Sequence, residues 1–140
     1  RYGLVFSVND RREEDKAIAL ALDLVRSPDR RDEWRARAGW RLLNLMALHQ
    51  PELPDEFFLP YLPRIEAEIH TSLNRVREAM NTTLIAIGMR NPRLESLALA
   101  AATRIGKVVV DHGETNCKTP DAAAYIQKAV ARQQARKVKA

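Results

Sequence analysis

The chain has 140 residues, 46% hydrophobic but only 6% aromatic, which suits one domain with a real core and favours helices over a sandwich or barrel. Lys and Arg number 23 against 18 Asp and Glu, a net charge of +5 that permits an anionic partner such as nucleic acid. One cysteine excludes an internal disulfide framework, and no apolar run is long enough to span a bilayer, so a cytoplasmic protein is the default expectation.

Residues 1–10, RYGLVFSVND, read as an extended leader ending in an Asn9-Asp10 cap. A first helix is predicted over 11–26, where Ala17, Leu20, Ala21, Leu24 and Val25 recur at helical spacing; Ser27-Pro28 stops it. A second, over 30–49, places Trp34, Ala38, Leu42, Leu45 and Leu48 on one stripe, which marks Trp34 for the core. Pro51 and Pro54 break the chain. Asp55 then caps a third helix, about 55–70, in which Pro60 falls near the first turn and Pro63 bends the axis. Asn74 caps a fourth through Met89. Asn91-Pro92 opens a fifth to about Gly106, and Thr119-Pro120-Asp121 a sixth over about 120–136.

Sliding the chain by 41 residues lays Ala38 on Ala79, Leu43 on Leu84, Pro51 on Pro92 and Leu53 on Leu94. Paired helices at that period match HEAT or armadillo-like solenoids, whose repeats run about 40–47 residues. The expected fold is therefore all-α, a HEAT-like helical repeat solenoid of about six helices. Its divisions are a divergent segment 1–19, a repeat domain 20–130 and a basic tail 131–140. In such a stack the second helices line a concave surface where a partner docks.

Three groups are candidates for chemistry. Arg30, Arg37, Arg41 and Asn44 share one face of the second helix, flanked by Arg31 and Arg35 and interleaved with Trp34 and Trp40. Guanidiniums grip phosphates and an indole packs on a sugar or base; the plainer reading is a solvated charged face. Arg75, Arg77, Arg90, Arg93, Arg104 and Lys107 form a later basic group, which would let Arg37, Arg41 and Arg77 line one groove. The tail from Lys128 to Lys139 is either a basic arm for a phosphate backbone or a frayed terminus. Lastly, KVVVDHGETNCKTPDA (107–122) gathers Asp111, His112, Glu114 and Cys117. One His and one Cys without CxxC argue against a metal site, so the stretch reads as a loop held by its own hydrogen bonds, with Thr119 capping the last helix. No metal or cofactor is expected, and no phosphate loop, HExxH or GxSxG is present.

The runs DEWRARAGWRLL (32–43), YLPRIEAEIH (61–70), NRVREAMNTTLIAIGMRNP (74–92) and RIGKVVVDHGETNCKTPDAAAYI (104–126) resemble the AlkD-like DNA alkylation repair proteins over roughly residues 20–130. The resemblance implies a stack of HEAT-like repeats gripping duplex DNA by its backbone in a basic concave groove. It also implies, for an active member, a glycosylase for N3- and N7-alkylated purines. That chemistry uses a carboxylate and aromatic faces to stabilise a cationic sugar. The family's Trp-x-x-Arg-Ala motif matches Trp34, Arg37 and Ala38, and the next repeat's basic residue matches Arg77. Two features depart. The catalytic aromatic would fall near Thr82, and the carboxylate should precede about residue 20, where Asp15 and Asp23 lack an aromatic partner. The catalytic residues are therefore unknown from sequence. Because the chain opens on Arg1, an upstream half is one expectation and a divergent, non-catalytic member the other. The expected DNA contacts are Arg37, Arg41, Arg77, Trp34 and Arg35. The alternative is a protein-interaction scaffold, or a short stack that forms a homodimer through its end faces.

Overall fold

The computed structural model describes residues 32–139 together with Lys16, Ala19, Leu20 and Asp23, which are helical. The leader, the Asn9-Asp10 cap, the Ser27-Pro28 stop and most of the 11–26 helix lie outside the described residues. Within them the order is α1 (Glu33–His49), α2 (Asp55–Phe58), α3 (Tyr61–Glu68), a 3₁₀ turn (Ile69–Thr71), α4 (Asn74–Gly88), α5 (Pro92–Ile105) and α6 (Ala122–Lys139), with no strand. The fold is all-α, of HEAT-like stacked helix pairs.

The 41-residue period is structural. Glu33 and Asn74, the first residues of α1 and α4, stand that far apart. The buried positions of α1 are Gly39, Trp40, Leu42, Leu43, Asn44, Met46 and Ala47. Shifted by the period they fall on Met80, Asn81, Thr83, Leu84, Ile85, Ile87 and Gly88, all buried on α4. These two inner helices make the most extensive pairing in the molecule. Outside them, α2–α3 and α5 pair in the same way. Trp40, Leu43, Phe58, Ile65, Ile69, Leu84, Ile87, Leu94 and Ile126 fill the core, each worth about 1.5–3 kcal/mol on burial. At Gly88, α4, α5 and α6 converge: a Cβ there would meet Ile126 Cδ1 at 2.7 Å and Ala98 Cβ at 3.0 Å. Only hydrogen fits.

Several local expectations change. The third helix breaks at Leu59-Pro60. Pro63 sits in the first turn of α3, where the missing N–H is unneeded. True side-chain caps are Asp32, which accepts from Arg35 N; Asn91, from Leu94 N; and Asp121, from Ala124 N. Asp55, Asn74 and Thr119 cap nothing, because each is engaged elsewhere. Asp55 accepts from Asn91 Nδ2, Asn74 pairs with Asp111, and Thr119 bonds His112. The N-terminus of α4 is instead met from another helix, Glu33 accepting from Arg75 N at 2.7 Å. The helix α6 runs unbroken to Lys139, so residues 131–139 are its last turns rather than a frayed tail.

Candidate nucleic-acid interface

On α1 the two tryptophans exchange the places expected for them. Trp40 is buried, edge-on to Tyr61 with ring centroids 6.0 Å apart, whereas Trp34 is 64% exposed. The stripe Trp34–Ala38–Leu42–Leu45–Leu48 therefore faces outward for most of its length. Asn44 turns inward and is buried. Arg37 and Arg41 stand beside Trp34 and line with it, Ala38, Leu42 and Leu45 a groove of about 390 Å³. The Arg37 guanidinium lies 5.6 Å from the Trp34 ring centroid, a cation–π contact that holds it without using its N–H donors. Neither Arg37 nor Arg41 has an ion-pair partner among the described residues. Arg35 is exposed but lies roughly 200° around the helix from Arg37, off the groove.

Arg77 does not join them. Its Nε donates to Ile69 O at 3.1 Å, Nη1 to Val109 O at 2.8 Å, and Nη2 to His70 O at 3.2 Å and Ser72 O at 2.9 Å. Four of its five N–H groups are spent on main-chain carbonyls. The expected row Arg37–Arg41–Arg77 therefore breaks. The positions one period on from Arg37 and Arg41 are Glu78, which pairs with Arg75, and Thr82, whose hydroxyl donates to Glu78 O.

The later basic group is mostly engaged. Arg90 donates to Ala47 O at 2.8 Å, Gln50 O at 3.2 Å and Leu53 O at 2.7 Å, and lies 4.3 Å over the Phe58 ring. It closes the C-terminal end of α1; burial lowers its pKa, partly opposed by Asp55 and Glu52. Arg93 reaches Asp55 and Glu56, and Arg104 grips Glu66 by Nε at 2.6 Å and Nη2 at 3.1 Å. That bond lowers the Glu66 pKa and raises that of Arg104. The unbroken basic surface is on α6, which carries no acid and exposes Lys128, Arg132, Arg136 and Lys137.

Residues 106–121 form a connector without helix or strand. It starts at Gly106 (φ 72°) and turns at Gly113 (φ 64°), backbone that only glycine adopts without strain. Its own bonds include Gly113 N to Asp111 Oδ1, Thr115 Oγ1 to His112 O and the His112–Thr119 pair. The rest come from one polar stripe of α4: Asn74 exchanges two 2.7 Å bonds with Asp111, Arg77 reaches Val109 and Asn81 reaches Pro120. Among the described residues no three His, Cys, Asp or Glu side chains gather as a metal site, and no helix is long and apolar enough to cross a membrane.

The fold and the arginine-bearing groove define a HEAT-like helical repeat chain. No family model matches it. Uncharacterized proteins of Listeria monocytogenes and Listeria innocua are 38% and 37% identical to it over 91 residues, which is 65% of this chain. The chain spans only 38% of the length of these curated relatives. A solved structure described as a new family of proteins related to the HEAT-like repeat DNA glycosylases, with affinity for branched DNA structures, matches with a TM-score of 0.69. It is 23% identical, over 82% of this chain and 48% of that one, and shares the fold.

Proposed function

We propose that this chain binds DNA through its phosphate backbone, with Arg37 and Arg41 on α1 as the principal contacts and Trp34 packing against a sugar or base. The observation that carries this is the pair of arginines beside an exposed indole, with no ion-pair partner among the described residues. The acid-free face of α6 supplies a second basic surface. Affinity for branched DNA in a structural neighbour supports a nucleic-acid partner, and the alkylation-repair resemblance of the sequence supports duplex or junction DNA. Arg77 leaves the set, since a guanidinium with four donors on carbonyls has little left for phosphate. We assign the chain a binding role of the alkylation-repair type and leave its catalysis to the assay below: Thr82 offers no aromatic face, and no carboxylate lines the groove among the described residues.

Electrophoretic mobility shifts with a labelled duplex and a four-way junction, at rising salt, test this. Affinity should fall steeply with salt, and Arg37→Ala with Arg41→Ala should weaken binding across sequences and cut the log–log salt slope by roughly 2. Salt-insensitive binding, or a double variant that binds like the parent, would falsify the proposal. Base release from 7-methylguanine duplex would extend it to catalysis.

A further inference from the structure

The helix α6 carries its charge on one line. Tyr125, Lys128, Arg132, Arg136 and Lys139 follow one another at spacings of 3, 4, 4 and 3 residues. At 3.6 residues per turn they fall within roughly 80° of arc, with rises of about 4.5–6 Å between neighbours. All five are exposed, Tyr125 by 48%. The buried residues Ala122, Ile126 and Ala129 occupy the adjoining arc. Of the five cations of α6, only Lys137 stands off the line. A charged face that merely keeps a terminal helix in water needs neither such alignment nor an aromatic at its head.

The line is also costly. Lys128–Arg132 and Arg132–Arg136 are like-charge pairs at i,i+4, which weaken a helix, and α6 has no acid to offset them. None of the four cations on the line has an ion-pair partner among the described residues. The helix dipole favours cations in the last turn, which accounts for Arg136 and Lys139 but not for Lys128 and Arg132. From Ala131 to Lys139 every residue is exposed, so burial does not offset the repulsion there. A polyanion laid along the line would.

The kind of polyanion follows from Tyr125. In a duplex the base faces are stacked on one another and closed to a side chain. In an unpaired strand they are open, and an exposed aromatic in line with cations stacks on a base while the cations follow the backbone. A membrane surface fits less well, because the apolar arc of α6 is buried in the core. We propose that the α6 line is a track for an unpaired nucleic-acid strand, with Tyr125 stacking on a base and Lys128, Arg132 and Arg136 lying along the phosphates beyond it. This deepens the DNA reading and rests on it, but not on Arg37 and Arg41.

Fluorescence anisotropy of the whole chain with three labelled probes tests it: a blunt duplex, the same duplex with a single-stranded overhang, and an oligothymidylate. The overhang duplex should bind at least about ten-fold tighter than the blunt one. Tyr125→Ala should abolish that preference and Tyr125→Phe should keep it, since the ring and not the hydroxyl stacks. Lys128→Gln, Arg132→Gln and Arg136→Gln together should cut the log–log salt slope for oligothymidylate by roughly 2. All four positions are exposed, so the variants leave the core intact. Equal affinity for the two duplexes, or a preference that survives Tyr125→Ala, overturns the proposal and leaves the contacts on α1 standing. So does a triple variant that weakens the blunt duplex as much as the overhang, which would make α6 a duplex contact. Arg37→Ala with Arg41→Ala should weaken both duplexes alike; a preference lost in that variant would move the unpaired strand to α1 and overturn the proposal. Tighter binding to phosphatidylserine vesicles than to oligothymidylate would overturn it in favour of a membrane surface.

Discussion

The helices α1 and α4 are equivalent inner helices of successive repeats, alike in every buried position of α1, yet they use arginine in opposite ways. Arg37 and Arg41, the fifth and ninth residues of α1, donate to no helix-closing carbonyl among the described residues. Arg77 in the first turns of α4 meets the carbonyls closing the 3₁₀ turn, and Arg90 just past its end meets those closing α1. A helix leaves its last carbonyls unpaired and partially negative, so an arginine brought there is drawn in as a cap. Period-equivalence therefore carries core positions faithfully and charged ones poorly. What decides an arginine's task is whether a neighbouring helix ends within its reach.

The largest effect should come from Arg90→Ala. It strands the carbonyls of Ala47, Gln50 and Leu53 and removes the cation over Phe58, and a cost of about 3 kcal/mol or more is expected in urea unfolding. Arg90→Lys should recover only part, since one ammonium cannot span three acceptors in a fixed fork. A stability loss below about 1 kcal/mol in Arg90→Ala would erase the distinction between clamping and free arginines.

Arg77→Ala should come next, at about 2 kcal/mol, because its carbonyls are nearer to water and can be partly rehydrated. Its signature is local. The link from Arg77 to Val109 O helps hold the connector on α4, so amide exchange should quicken around Val109–Gly113. A uniform loss of protection would place Arg77 in the global fold instead.

Much of this architecture is legible in the sequence. The break at Pro51 and Pro54, the Asn91-Pro92 start and the 41-residue period all appear in the structure. The face of α1 was not legible, because two apolar stripes compete on it. The stripe Trp34–Ala38–Leu42–Leu45–Leu48 has helical spacing as good as that of Gly39–Trp40–Leu43–Met46–Ala47, and only packing against α4 chooses the second. Caps misled for a related reason: Asp55, Asn74 and Thr119 are residues a cap would use, but their partners come from other segments or from within the connector. Arg77 is the same case at the site. Its carbonyl partners include Val109, 32 residues away, which no local motif announces.

A smaller effect separates the outer helices. The Glu66 pKa is lowered by its bond to Arg104. A carboxylate depressed in the folded state stabilises above its unfolded pKa and loses that contribution as pH falls through the folded one. Arg104→Gln should therefore lower the urea midpoint slightly near pH 7, and the difference from the parent should close as the pH drops below the ordinary carboxylate range. Arg104 is well exposed and Glu66 partly so, and added salt should therefore shrink it too. A difference that persists at low pH would mean that Arg104 acts by packing its stem.

The smallest expected effect on stability is the most telling. Arg37→Gln with Arg41→Gln removes two positive charges that pair with no carboxylate among the described residues, from positions that bury little. The urea midpoint should stay within about 0.5 kcal/mol of the parent, since such surface changes touch neither core nor cap. The contact between Arg37 and Trp34 adds at most about 0.5–1 kcal/mol at so exposed a site, and single Arg37→Gln isolates it. If the double variant keeps its stability and loses DNA affinity, the arginines of α1 are held ready for a partner. If it loses as much stability as Arg77→Ala, they too are structural, and the contrast between the two helices collapses.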